Sequence, residues 1–205
     1  MRTRYRQDLD SIKDMSNELM ELIILCYDKL DLFLDNGNRT NLEEIVELNE
    51  DIRRKASDVE RFCFELLALQ QPVATDLRFL QMSIKLASTY KRLSSHMAQA
   101  AMILLEYSLT DEEVSLNKRF IANQRQMAEN SIDSFINNDN DLGLKTIEDD
   151  EINNNLFEEA VNYIADQNKS NAIGALELSE KVLLYKYYER LGDRLARVGD
   201  LATRL

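Results

Sequence analysis

The stretch "YYERLGDRLARVGD", residues 187–200, decides how this 205-residue chain is read. Around it Tyr185, Glu189, Gly192, Ala196 and Gly199 recur at spacings of three and four, as one face of an α-helix does. That helix stacks Glu189 and Asp193 four apart, where two carboxylates repel and cost an exposed helix about 0.2–0.5 kcal/mol. An earlier stretch, "TYKRLSSHMAQA" (89–100), repeats the frame without the acids, with Lys91 in place of Glu189 and Ser95 in place of Asp193. Tyr90, Arg92 and Leu93 match Tyr188, Arg190 and Leu191 at a constant offset of 98, while Leu42 and Ile52 match Leu142 and Ile152 at an offset of 100. Self-similarity at a fixed separation predicts a duplicated structural unit.

Working outward, apolar residues recur at helical spacing almost everywhere, and no segment alternates with period two for long. One proline and five glycines leave long helices uninterrupted. The first seam runs from Leu9 to Phe33 and stops at "DNGN" (35–38), where Gly37 supplies a left-handed position. Thr40 or Asn41 can cap the second helix, which "QQP" (70–72) ends. The third carries Leu77 to Leu105, and "SLTDEE" (108–113) then offers a capping box at Thr110 or Asp111. A fourth helix ends at "NNDND" (137–141), a fifth carries Leu142, Asp149, Ile152, Leu156 and Ile164, and the turn "DQNKSNA" (166–172) leads to the sixth. The expected fold is all-α: two tandem antiparallel three-helix bundles, residues 1–108 and 109–205.

The net charge of −12 opposes binding to nucleic acid or to an anionic bilayer and leaves basic protein surfaces and cations as natural partners. No run of eighteen apolar residues or secretory leader is evident, so a cytoplasmic location with no membrane insertion is expected. Cys26 and Cys63 sit singly on apolar faces and read as buried thiols. No phosphate loop, nucleophile elbow or Cys–His signature occurs, and the one histidine, His96, lacks the Glu three residues earlier that a di-iron site uses. The chain does not read as an enzyme, and His96 reads as a surface or rim residue.

Polar residues on the seams are the remaining signal. With the last hairpin centred near residue 169, Asp149 and Glu189 both lie about 30 Å from the turn and should face each other. Asp149, Glu189 and Asp193 then converge, with Asp150 and Asn153 beside them. Such a cluster either binds a hard cation through oxygen, or stays solvated and paired with Arg190, Arg194 or Lys145. In the first half Lys91 is expected to supply its own charge at the position where the second half would hold a cation. A turn centred at residue 71 sets it opposite Asp51, with Glu47 one turn away; the alternative is a snorkelling lysine with its ammonium in water.

"ALQQPVATDLRFLQMSIKLAS" (68–88), "YKRLSSH" (90–96) and "YYERLGDR" (187–194) resemble the PhoU family of phosphate-signalling regulators, whose repeats carry Q-P-x-A-x-D-L-R followed by E-R-I-G-D. The resemblance covers essentially the whole chain. It implies a regulator, often dimeric, that restrains phosphate uptake and the starvation response through a phosphate ABC transporter ATPase and a sensor histidine kinase. It also implies iron or zinc clusters on paired acidic motifs. Here the first-half acids become Asn49, Arg53, Lys91 and Ser95, although Glu60, Asp76 and His96 keep the family's residue types. A metal is therefore expected only in the second repeat, on Asp149, Glu189 and Asp193, and none in the first. The rival reading is a helical scaffold of the same fold with no phosphate role.

Overall fold

The computed structural model describes residues 2–170 and 173–205, except the side chains of residues 2 and 3. Six helices follow one another: α1 (Arg2–Asn36), α2 (Thr40–Leu69), α3 (Ala74–Glu106), α4 (Asp111–Asn137), α5 (Asn140–Lys169) and α6 (Ala175–Ala202). Local chemistry sets most of the breaks. Gly37 turns left-handed at φ 68° and its N–H donates to the Phe33 carbonyl at 2.8 Å, ending α1. Thr110 caps α4 in a capping box with Glu113. Asn138 adopts a left-handed φ of 55°, and the Asp139 carboxylate accepts from the N–H groups of Asp141 and Leu142. Two expectations are corrected. Neither Thr40 nor Asn41 caps α2; the Asn38 side chain accepts the Thr40 N–H at 3.1 Å. The last turn also starts later than "DQNKSNA", because α5 continues to Lys169, and residues 171–172 lie outside the described residues.

Helices α1–α3 pack together, α4–α6 repeat the arrangement, and α1·α4 and α3·α6 join the two repeats. Each joining pair consists of a helix and its own counterpart, so the repeats meet about a pseudo-two-fold axis. Among the described residues, helices α2 and α5 touch only their own repeat. One hydrophobic cluster runs through both repeats. That continuity is why α1 buries Met20, Ile23 and Tyr27 in addition to Ile12, Leu19, Cys26 and Leu30. It is also why α6, packed against α3, α4 and α5, buries Leu184, Leu191, Leu195 and Val198 outside the single seam read from its sequence. Cys26 and Cys63 are buried free thiols, and burial pushes the Cys26 thiol up to about 12.

Candidate functional site

The buried positions of α2 (Leu42, Ile45, Ile52, Val59 and Cys63) recur on α5 as Gly143, Thr146, Asn153, Ala160 and Ile164, an offset of 101. The sequence offset of 100 is therefore wrong by one residue. Ile152 stands 47% exposed, whereas Asn153 is fully buried. On α3 and α6 the offset of 98 holds, with Tyr90, Leu93, Ser94 and Met97 matching Tyr188, Leu191, Gly192 and Leu195, all buried. The partner of Asn49 in the second repeat is thus Asp150, not Asp149.

Asn153 is held from several sides. Gln124 on α4, also fully buried, donates to the Asn153 Oδ1 at 3.1 Å and to the Tyr188 carbonyl at 2.7 Å. Tyr27 on α1 donates to the Gln124 Oε1 at 3.2 Å, so the network spans both repeats. Asn153 in turn donates to the Asp150 Oδ1 at 3.2 Å. Gly192 admits this cluster: a Cβ there would lie 2.5 Å from both the Asn153 Nδ2 and the Asp150 Oδ1. In the first repeat the equivalent contact is a hydrogen bond, Ser94 Oγ to Asn49 Oδ1 at 2.9 Å.

The expected trio does not assemble. Both Asp149 carboxylate oxygens accept from Lys145, at 3.0 and 2.9 Å. Glu189 accepts from Lys186 at 2.7 Å through one oxygen, while its Oε2 is buried without a hydrogen-bond partner. Asp193 is exposed. Two causes separate Asp149 from Glu189. Helix α5 ends at Lys169 and α6 begins at Ala175, so the hairpin centre lies near 172 rather than 169. Side chains also lean toward the N-terminus of their own helix. In an antiparallel hairpin Asp149 therefore leans away from the turn and Glu189 toward it. The acids that do sense each other are Asp150, Glu189 and Asp193. Burial, opposed by the Asn153 hydrogen bond and reinforced by Asp193 and Glu189, holds the Asp150 carboxyl above its usual range; burial and Glu189 raise Asp193. Among the described residues no group of three or more His, Cys, Asp or Glu is arranged to hold a metal ion.

Lys91 does find a carboxylate, but neither Asp51 nor Glu47. It donates to the Glu60 Oε2 at 2.6 Å, and both side chains are 24% exposed. Asp51 pairs with Arg54 at 2.8 Å, and Glu47 is exposed. The same lean explains the choice: Lys91 reaches toward the turn and Glu60 away from it, so they meet between their backbones, while Asp51 and Glu47 point away from Lys91. A pair on the border of solvent should contribute more than a surface bridge and less than a buried one, so Lys91→Met should cost about 1–2 kcal/mol. Urea denaturation of Lys91→Met and Glu60→Gln checks this; no change in either would remove the pair from the account.

His96 lies at the α3·α6 joint, stacked on Tyr187 at 5.7 Å between ring centroids. Burial, with Arg190, Arg194 and Arg92 nearby, lowers its pKa from 6.5 to about 4. The folded chain therefore resists a proton that the unfolded chain accepts, and stability should fall as pH drops from about 6.5 toward about 4. Asp150 and Asp193, raised by burial, titrate in the opposite sense. Comparing wild type with His96→Gln isolates the histidine: the wild type should lose more between about pH 7 and pH 5. Equal losses would contradict the assignment.

Sequence reasoning missed the most buried ion pair. Lys181 on α6 donates to the Glu113 Oε2 at 2.9 Å, with side chains 4% and 2% exposed, and lies 3.1 Å from Glu177. Glu113 is also the capping-box residue, and the same oxygen accepts the Thr110 N–H at 2.8 Å. A usable signal existed in the spacing of Lys181 from Leu184, Tyr185 and Tyr188, which places it on their face.

Comparison with known proteins follows the same duplication. The family model described as PhoU domain matches residues 12–104 and again 118–202. The chain is 26% identical over 210 residues to a "Phosphate-specific transport system accessory protein PhoU homolog" of Borreliella burgdorferi, covering 98% of this chain and 94% of that protein. A protein of the same description from Aquifex aeolicus is 28% identical over 192 residues, covering 90% and 84%. Among solved structures, PhoU from Pseudomonas aeruginosa aligns with a TM-score of 0.88 at 16% identity, covering 97% of this chain and 96% of that one.

Proposed function

The chain belongs to the PhoU family, and from that premise we propose that it is a regulatory accessory protein of phosphate transport, restraining uptake and the phosphate-starvation response. The observation that carries this reading is the double family match together with relatives, described as accessory proteins of phosphate-specific transport, that align over nearly their whole length. It acts by binding rather than by catalysis, through long helical faces. Its partners are the ATPase of a phosphate ABC transporter and a sensor histidine kinase, met on the cytoplasmic side, and it works as a homodimer. No helix of the described residues is long and apolar enough to cross a membrane. Affinity capture from phosphate-replete cells, followed by mass spectrometry, tests the partners. Enrichment of the transporter ATPase supports the reading; capture of proteins unconnected with phosphate would favour a scaffold without a phosphate role.

A cation in the second repeat is a narrower proposal, and it moves from Asp149 to Asp150, with Glu189 and Asp193 retained. The buried, unpartnered Glu189 Oε2 supports it. As placed, these acids do not close into a ligand set, so binding requires Glu189 to leave Lys186. Elemental analysis after exposure to iron or zinc should show metal that Glu189→Gln lowers and Asp149→Asn does not. Content indifferent to Glu189 would end the proposal.

A further inference from the structure

Helix α3 carries no Asp or Glu between Asp76 and Glu106, in a chain with 37 acidic residues and a net charge of −12. On this helix Arg78, Lys85 and Arg92 are exposed at seven-residue spacing, which puts them on one face about 10 Å apart. At the α3·α6 joint Arg190 and Arg194 crowd the same His96 that Arg92 crowds, so cations from both helices converge. Of these five cations, none lies within ion-pair distance of a carboxylate among the described residues, and the Arg194 Nε is buried without a hydrogen-bond partner. Most cations elsewhere are paired, as Arg54, Arg61, Lys118, Arg119 and Arg125 are. Beside this face, Met102, Ile103, Leu183 and Tyr187, together with Glu106 and Glu180, line an open groove between α3 and α6, with Met102 49% and Leu183 43% exposed.

We propose that the α3·α6 face is the docking surface for an acidic, amphipathic polypeptide segment of another protein. Charge complementarity selects the occupant. Unpaired like charges on adjacent helices repel, and a carboxylate-bearing partner removes that cost. Four of the five are arginines, whose planar forks bind carboxylates in a bidentate way. A stripe spanning about 20 Å along α3 is too extended for a single small anion; Met102, Ile103 and Leu183 in the groove give a helical segment a place for its nonpolar side, while Glu106 and Glu180 turn its acids toward the arginines. An anionic bilayer fits less well, because the rest of the molecule is negative and would be repelled. The surface is defined independently of the phosphate reading, so either can fail alone.

The test uses the full-length protein and a fluorescein-labelled amphipathic peptide of repeating Glu-Glu-Leu-Glu, followed by fluorescence anisotropy. Saturable binding should weaken about tenfold or more in the Lys85→Glu/Arg92→Glu double variant and fall with added salt. Arg54→Glu, a change to an exposed cation on α2, should bind as wild type does. Both altered α3 side chains are exposed and unpaired, so folding should survive; circular dichroism confirms it, and Arg190→Glu alone supplies a second variant if needed. Absence of saturable binding would overturn the proposal, as would binding indifferent to both variants. Preferential binding to phosphatidylglycerol vesicles, or a wild-type dimer that dissociates in the double variant, would overturn it too, by assigning the face to lipid or to a second copy.

Discussion

Replacing Lys181 by Met should destabilise the protein by about 3–5 kcal/mol, the largest effect expected of any single substitution here. Its ammonium meets Glu113 at 2.9 Å in a region where both side chains are almost inaccessible. Burial works against the lysine's charge, but Glu113 and Glu177 outweigh it, so its pKa is raised and it is charged at neutral pH. Methionine can fill the space of the stem but leaves the Glu113 carboxylate buried with only the Thr110 N–H to answer it. The loss should therefore exceed that of an ordinary bridge, and Lys181→Met/Glu113→Gln should recover part of it, since no charge is then stranded. Glu113 opens α4 and Lys181 sits on α6, so the pair pins the start of the second repeat to its last helix. Urea unfolding of both variants measures this. A loss below about 1 kcal/mol in Lys181→Met would show that the pair is solvated in solution.

The second large effect belongs to Gly199→Ala, expected to cost about 1–3 kcal/mol. Helices α5 and α6 approach closely where Gly143 faces Gly199. A Cβ on Gly199 would lie 2.7 Å from the Gly143 carbonyl oxygen and 3.1 Å from the Thr146 Cβ. The obstacle is backbone, which cannot swing aside as a side chain does, so the helices must separate and forfeit packing along their length. Gly174→Ala is the comparison, because a Cβ there meets nothing within 4 Å; Gly174 is the N-cap of α6, where alanine is disfavoured, so this change should cost about 0.5–1 kcal/mol without any steric part. Thermal unfolding of both checks the contrast. A Gly199→Ala variant as stable as Gly174→Ala would contradict the close approach.

The elements were legible because local rules set them. Six helices, the left-handed Gly37, the Thr110 capping box and the duplication all follow from residues near one another in the chain. The candidate site was legible only in composition. Finding it requires register to within one residue, and the offset read from Leu42 and Ile52 was short by one, since an apolar Ile152 looked like a better core residue than Asn153. The buried polar network reverses that preference: Gln124 on α4 needs a polar partner on α5, and nothing near Asn153 in sequence announces Gln124. Lys91 was rightly given a carboxylate but the wrong one, because residues opposite at the backbone diverge once their side chains lean along their helices. Lys181 and the wide buried face of α6 were missed for another reason. Each repeat was read with its own core, whereas α1·α4 and α3·α6 merge the two into one.

The central claim is that this protein restrains phosphate transport by binding. Its most direct test is uptake of radiolabelled phosphate by cells grown with ample phosphate, comparing the parent, a strain lacking this gene, and that strain carrying the gene again. Faster uptake is expected in the deleted strain, returned to the parental rate by the restored gene. Uptake equal to that of the parent, in cells with no second protein of the family, would contradict it.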